Sequence, residues 1–170
     1  MKTLVEQLSQ YARYHRDKRN IATHFIGIPL IVIAVMYLLY FPVLAVDSVT
    51  ITATLVVIAL SLAYYILLSL SLGFAMAIAF AAMYAIVCYS APYLVSFTDY
   101  GMSITGVVLF VVGWIFQFVG HYYEGKKPAF VDDLIGLAIG PLFVMAEFLF
   151  VLGLHKALEE DIIREAGEYR

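Results

Sequence analysis

Charged side chains are almost absent from the middle of this 170-residue sequence. Between positions 20 and 120 there is no lysine, arginine or glutamate, and the two charged residues are Asp47 and Asp99. Charged residues make up 14% of the chain and hydrophobic residues 64%, whereas a soluble domain has about 25% charged residues. A soluble globule of this length cannot bury so much apolar surface. The composition therefore argues against a soluble enzyme or a disordered chain and indicates a small multi-pass membrane protein.

The sequence also contains a single cysteine and has no excess of positive charge. Cys88 is the single cysteine, which excludes an intramolecular disulfide and any metal site built from several cysteines. The formal net charge is −3, so the chain has no general electrostatic attraction for nucleic acid. We therefore expect its partners to be the membrane bilayer and small molecules, with no nucleic acid.

Turn-forming residues divide the apolar stretch into segments long enough to cross a bilayer. A transmembrane helix needs about 20 mostly apolar residues, and Pro42, Ser69 and Pro92 interrupt the pattern where loops are expected. The predicted spans are 21–41, 49–68, 74–89 and 102–121, followed by a last apolar segment at 134–154. The sequence thus predicts an all-α fold, a multi-pass transmembrane helical bundle with four to five spans.

Both ends of the chain are polar. One helical face near the N-terminus collects Leu4, Leu8, Tyr11 and His15. This spacing predicts an amphipathic helix over residues 1–19 that lies on the membrane surface or against the bundle. Residues 155–170 form a charged tail that we expect to be helical. With the spans between 20 and 154, the whole chain, 1–170, is predicted to be a single integral membrane domain.

Basic residues indicate the orientation of the chain in the membrane. Five of them precede the first span: Lys2, Arg13, Arg16, Lys18 and Arg19. Lys126 and Lys127 follow the fourth span, and the other loops hold no base. Cytoplasmic loops are enriched in lysine and arginine, so we expect a cytoplasmic N-terminus. The last segment either crosses the membrane, or is broken at Gly140-Pro141 into a re-entrant pair that leaves the tail inside.

Three histidines fall at one membrane level under this topology. His15 lies on the surface helix, His24 in the first turn of the first span, and His121 at the cytoplasmic end of the fourth span. Ionisable groups at membrane depth cost about 2.5–3.5 kcal/mol each and usually have a function. Each histidine alone is also explained by a headgroup contact or a backbone hydrogen bond. Their convergence favours a shared site, provided that the chain bends between residues 16 and 20.

Carboxylates lie near these histidines. Gln117, His121 and Glu124 share one face of the fourth span at spacings of four and three residues, and Glu147 lies on a glycine-lined face of the last segment. Neutral imidazole binds iron, zinc, copper or nickel, and a neighbouring carboxylate suits non-haem iron or zinc. The residues therefore predict a metal site. Glu147 also has a structural interpretation, in which it pairs with a base or a tyrosine hydroxyl.

Two other classes of function fit a small multi-pass membrane protein. A carrier or channel would use the histidines and glutamates to relay protons, and a structural subunit would use them to hold a larger complex together. A relay needs ionisable groups along the depth of the bilayer, whereas these lie at one face apart from Glu147. Haem ligation by two histidines requires facing positions across the bundle core. The clustering favours a metal-dependent enzyme.

Several motifs closely resemble a known family of small membrane proteins. The residues that carry the resemblance are Tyr14-His15, Asn20-Ile21, His24, Pro29, the block 113–121 (GWIFQFVGH), Glu124, Pro128-Ala129, Asp133-Leu134, Pro141 and the block 147–150 (EFLF). They resemble the membrane 2-hydroxy fatty acid dioxygenases, whose characterised fungal member acts in phytosphingosine breakdown. The resemblance spans nearly the whole chain.

The resemblance implies an Fe(II)-dependent alpha-oxidation. A 2-hydroxy fatty acid and dioxygen would give a fatty acid one carbon shorter and carbon dioxide. The implied metal ligands are His15, His24, His121 and Glu124, and the implied catalytic residues are the same three histidines with Glu147. We expect an integral protein of a bacterial inner membrane, rather than of the endoplasmic reticulum, with the site on the cytoplasmic side. Acyl-chain length, the number of metal ions and the oligomeric state stay open.

The orientation can be tested by cysteine labelling in a Cys88→Ala background. Because the bases that flank the first and fourth spans are expected inside, Lys126→Cys should react with a membrane-impermeant maleimide in inverted vesicles and be protected in intact cells. Asp99→Cys, in a loop predicted to lie outside, should show the reverse. Labelling of position 126 in intact cells would contradict the predicted orientation.

Overall fold

The computed structural model describes residues 2–47, 49–126 and 135–170. In chain order the elements are α1 (Leu4–Ala12), α2 (Lys18–Leu38), β1 (Pro42–Val46), β2 (Val49–Thr52), α3 (Ala53–Leu68), α4 (Leu70–Phe97), α5 (Gly101–Glu124), α6 (Ile135–Val151) and α7 (Lys156–Ala166). The predicted all-α fold is confirmed, with one short β-hairpin added. Outside the described residues lie Lys127, Pro128-Ala129, Asp133-Leu134 and thus the predicted start of the last segment.

Three of the described helices are long and apolar enough to cross a membrane: α2, α4 and α5. The helices α6 and α7 meet at a bend of 119° and add a fourth span if the pair counts as one. The apolar helix α3 has 16 residues, about 24 Å at 1.5 Å per residue, against a hydrocarbon core of about 30 Å. By length and composition, the described part offers three to four spans.

The chain forms two compact units, Met1–Pro29 with Gly113–Arg170, and Leu30–Val112. In the second unit β1 and β2 pair antiparallel, so the span predicted at 49–68 begins as a strand and becomes helical at Ala53. The β-branched run of residues 49–52 favours a strand. The side chain of Thr52 then caps α3 by accepting the backbone N–H of Leu55. The predicted start of this span is four residues too early.

The helices α3 and α4 are joined by a single residue, Ser69. It ends α3, and its side chain caps α4 by accepting the backbone N–H of Leu72, in agreement with the turn predicted there. The helix α4 then continues through Pro92 to Phe97. The end predicted for this span at residue 89 is therefore wrong, because proline is tolerated inside a membrane helix.

In the first unit α1 is shorter than the predicted surface helix. Thr3 and Glu6 form a capping box at its start, and the helix ends at Ala12. Its buried face packs against α6 and α7. The chain then turns through residues 13–17, so His15 lies in the connection to α2 and not on a helix extending to residue 19. The bend needed to bring the histidines together begins at Arg13.

The helices α2 and α5 approach each other closely at two glycines of the first unit. A Cβ atom on Gly120 would collide with the side chains of Thr23 and Asn20, and one on Gly27 would lie 2.8 Å from the carbonyl oxygen of Gly113. Glycine at such positions allows two helix backbones to come together within lipid. The first turns of α2 therefore lie directly against the last turns of α5.

The last apolar segment does not break where the sequence suggested a re-entrant turn. The helix α6 is continuous through Pro141, and the change of direction lies between α6 and α7. The helix α7 packs against α1, and the tail then pairs with the connection between α1 and α2. The backbone N–H of Arg170 donates to the carbonyl of Arg16, and the N–H of Lys18 donates to the carbonyl of Arg170. The tail thus lies beside the N-terminal segment.

The close contact between α2 and α5 can be tested at Gly120. Gly120→Ala adds a methyl group where there is no space, and such overpacking costs about 1–3 kcal/mol. This cost equals or exceeds the approximately 1 kcal/mol by which alanine favours a helix over glycine. We therefore expect a lower Tm in detergent micelles. Val119→Ile adds the same single carbon on the exposed side of α5 and should leave Tm unchanged; equal Tm values for both variants would contradict the packing.

Candidate metal centre

Three buried histidines meet where α2, α5 and the α1–α2 connection come together. One ligand nitrogen from each of His15, His24 and His121 lies within 4.8 Å of the others. The ring centroids are 4.5 Å apart for His15 and His24, 4.9 Å for His15 and His121, and 5.1 Å for His24 and His121. His15 and His24 are fully buried and His121 is 7% exposed. The structure thus brings together the three histidines that the sequence predicted to converge.

Backbone carbonyls fix the orientation of two of the rings. His15 Nδ1 lies 2.7 Å from the carbonyl oxygen of Tyr11, and His24 Nδ1 lies 2.9 Å from that of Asn20. A carbonyl oxygen accepts hydrogen bonds and cannot donate, so both Nδ1 atoms carry the hydrogen. In the neutral rings each Nε2 atom then carries a lone pair. These two Nε2 atoms face each other at 3.0 Å.

This arrangement of donor atoms fits a divalent metal ion. Two facing lone pairs repel, and burial, followed by the neighbouring His24, holds the pKa of His15 well below its usual range, which disfavours a charged ring. A metal ion with metal–nitrogen distances of about 2.1 Å and adjacent ligands at right angles places the two nitrogens about 3.0 Å apart. His121 Nδ1 is buried without a hydrogen-bond partner among the described residues, so this ring also has a nitrogen free for coordination.

Aromatic rings enclose one side of the cluster. The ring of Tyr11 stacks on His15 with a centroid distance of 4.1 Å and an interplanar angle of 4°. Phe143 of α6 lies 5.6 Å from the His15 ring and 5.0 Å from the Tyr11 ring. A Cβ atom on Gly140 would lie 3.0 Å from the Tyr11 hydroxyl, so α6 can approach this closely because residue 140 is glycine. These contacts hold His15 in place and exclude water from it.

Glu124, one of the predicted ligands, is hydrogen-bonded to four donors. Its Oε2 atom accepts the backbone N–H groups of Arg16 at 2.9 Å and Asp17 at 2.8 Å, and Asn20 Nδ2 at 3.2 Å. Its Oε1 atom accepts Arg170 Nη2 at 2.6 Å. The side chain is fully buried. The structure therefore places Glu124 beside the cluster but outside the group of three ligand atoms.

Glu147, one of the predicted catalytic residues, has partners in the tail and in the α1–α2 connection. The hydroxyl of Tyr169 donates to its carboxylate at 3.1 and 3.2 Å, and Arg16 Nη2 lies 3.8 Å from Oε1. The guanidinium of Arg16 also stacks on the ring of Tyr169 at 4.4 Å. This matches the predicted alternative in which Glu147 pairs with a base or a tyrosine hydroxyl.

Only some of the residues around the cluster are predictable from the sequence. Tyr11 was on the predicted apolar face of the N-terminal helix, four residues before His15. No pattern in the sequence indicates the roles of Arg16, Tyr169 and Arg170, because their contacts join segments that are distant along the chain. Arg19, one of the basic residues that indicate the orientation of the chain, pairs through its guanidinium with Asp17 and lowers the pKa of that carboxyl to about 2.

These features define a class: a multi-pass helical membrane protein with a buried three-histidine site. The chain belongs to the Mpo1-like family, described as 2-hydroxy-palmitic acid dioxygenase Mpo1-like, whose profile matches residues 1–152. It is 33% identical over 177 aligned positions to the 2-hydroxy-palmitic acid dioxygenase MPO1 of Saccharomyces cerevisiae, an alignment that covers 94% of this chain and 89% of the yeast protein. No solved structure matches the chain. The family resemblance of the sequence is confirmed.

Metal analysis of purified variants tests the cluster. His15→Ala, His24→Ala and His121→Ala should each lose bound metal while still inserting into the membrane, because two imidazoles leave a divalent ion weakly held. His155 serves as the control, since it precedes α7 and is not in the cluster. It has a φ of 55°, so the control variant is His155→Asn, because asparagine tolerates this conformation. Metal loss in His155→Asn but not in His15→Ala would contradict the ligand set.

Proposed function

We propose that this protein is an Fe(II)-dependent dioxygenase that carries out the alpha-oxidation of 2-hydroxy fatty acids. The observation that carries the proposal is the buried group of three histidines with two lone pairs directed at each other, within the region that matches the family. Imidazole ligands suit non-haem iron. The name of the yeast relative supplies the substrate class, a 2-hydroxy acid with a long acyl chain.

The proposed reaction balances with dioxygen as the oxidant. The substrate R–CH(OH)–COOH and O2 give R–COOH, CO2 and H2O. The bond between C1 and C2 breaks, C1 leaves as carbon dioxide, and C2 becomes the carboxyl carbon of an acid one carbon shorter. The substrate loses four electrons, and dioxygen takes up all four. No further reductant is required.

His15, His24 and His121 would hold the iron, and Glu124 is retained as a candidate ligand or positioning group. Bound ferrous iron would supply open positions for the substrate and dioxygen and would transfer electrons between them. The carbonyls of Tyr11 and Asn20 hold the rings with Nε2 directed inward. The rings of Tyr11 and Phe143 exclude water, which protects reactive oxygen chemistry from side reactions.

The end of the protein that carries the histidines also suits an acidic lipid. Arg13, Lys18 and Lys126 lie at this end of the protein, and positively charged side chains attract a carboxylate. The neighbouring turns of α5 expose apolar side chains such as Phe118 and Tyr122, which suits contact with lipid. We propose that the acyl chain stays in the bilayer while the carboxyl and hydroxyl groups reach the histidines from the cytoplasmic side.

The activity can be tested with iron-loaded protein in detergent or nanodiscs and carboxyl-labelled 2-hydroxypalmitic acid. We expect one labelled CO2 and one 15-carbon acid for each O2 consumed. Palmitic acid, which lacks the hydroxyl group, should not react. His121→Ala should lower turnover by more than the roughly 10–100-fold that is typical of losing an outer-shell partner of a metal.

The same assay separates this proposal from the carrier and structural alternatives. An iron-loaded protein that consumes neither substrate nor O2 would contradict the proposed activity. Equal turnover in the wild type and in His121→Ala would contradict the proposed site even if the reaction occurred.

A further inference from the structure

Glu124 is connected to all three histidines by short structural links. It lies three residues after His121, on the last turn of the same helix. Its Oε2 atom accepts the backbone N–H groups of Arg16 and Asp17, the two residues that directly follow His15. Asn20 provides the third link, because its side chain donates to Glu124 while its backbone carbonyl accepts His24 Nδ1. One carboxylate therefore joins the three segments that carry the histidines.

The carboxylate also satisfies backbone donors that would otherwise be unpaired at the start of α2. The first N–H groups of a helix and of the turn before it have no partner within the helix. Here the α1–α2 connection directs two of them to Glu124 Oε2, at 2.9 and 2.8 Å. Loss of this acceptor would leave both N–H groups buried without a partner, and the segment that holds His15 would have to move.

The charge of Glu124 is balanced from the tail. Arg170 Nη2 lies 2.6 Å from Oε1, and backbone hydrogen bonds of Arg170 with Arg16 and Lys18 hold the tail in place. A fully buried carboxylate is stable as an anion only when its charge and its hydrogen bonds are satisfied. The region that matches the family ends at residue 152, so this compensating cation comes from outside it.

We propose that Glu124 is a positioning residue that holds His15, His24 and His121 in register for metal binding, and that Arg170 supports it by neutralising its charge. The proposal rests on the metal site of the proposed function, but not on the substrate or the reaction. It differs from a ligand role for Glu124 in one measurable respect. Substitution of a positioning residue changes how tightly the metal binds. Substitution of a ligand also changes which atoms coordinate the metal.

Titration of the purified, metal-free protein with Co2+ distinguishes the two roles, because the visible absorption of Co2+ depends on its ligand atoms. For Glu124→Gln we expect a Co2+ affinity lower by about 10–100-fold, as for outer-shell partners of a metal, with band positions unchanged at saturation. Glu160→Gln, the same substitution at an exposed site, should leave the affinity unchanged. Shifted bands in Glu124→Gln, or an affinity equal to that of the control, would overturn the proposal.

Arg170→Gln provides the second measurement, and it tests the proposed positioning role even if Glu124→Gln does not fold. It removes the compensating charge and leaves the other three donors to Glu124 in place, so we expect a several-fold loss of Co2+ affinity with the bands unchanged. Arg164→Gln is the matched control, since Arg164 pairs with Asp161 on the exposed face of α7. Equal Co2+ affinities for Arg170→Gln and Arg164→Gln would overturn the proposal.

The two substitutions should also be less than additive when combined, because they act on one interaction. Full additivity would show that Arg170 does not act through Glu124. Since Co2+ binding is measured without substrate or dioxygen, a failure of the dioxygenase proposal leaves these results unaffected.

Discussion

The site depends on two imidazole rings whose hydrogen atoms are already committed to backbone carbonyls. With the Nδ1 hydrogens of His15 and His24 donated to Tyr11 and Asn20, the Nε2 lone pairs face each other at 3.0 Å in a dry environment. A proton would relieve this repulsion by creating a buried charged ring, which low polarity disfavours. A divalent cation accepts both lone pairs at once. The three histidines that α2, α5 and the α1–α2 connection bring together are therefore suited to holding a cation.

The positions of the Glu124 and Glu147 carboxylates affect the charge that a metal ion held by the histidines would present to a substrate. In sites with two histidines and one carboxylate, the protein itself supplies an anion to the metal. Here Glu124 is bound to four donors, and Glu147 faces Tyr169 and Arg16. Three neutral rings leave a divalent ion with its full charge. The proposed substrate, a 2-hydroxy acid, would then bring the missing anion, so the proposed ligand set and the proposed acidic substrate are consistent with each other.

Charge patterning predicted the helical membrane fold and the convergence of the histidines. The basic residues near the first and fourth spans predict that His15, His24 and His121 lie at one membrane level, and the structure brings these three together. Element boundaries were less predictable. The strand at 49–52 follows from a β-branched run, and α4 continues through Pro92 because a membrane helix tolerates proline. Hydropathy alone indicates neither boundary. The partners of Glu124 were not predictable from the sequence. Two of them are backbone N–H groups, which every residue except proline carries, and Arg170 contacts Glu124 only because the tail folds back onto the α1–α2 connection.

The same reasoning explains why spacing alone does not assign a role to an acidic residue beside a histidine cluster. Spacing places Glu124 on the face of His121, and this is the position from which a carboxylate can either bind a metal or hold the segment opposite. Which role it takes depends on the donors that the opposite segment presents. At the α1–α2 connection those donors are two backbone N–H groups and an amide, and they exist because α1 ends at Ala12 instead of continuing through His15. The early end of α1 thus places His15 in the cluster and also gives Glu124 its partners.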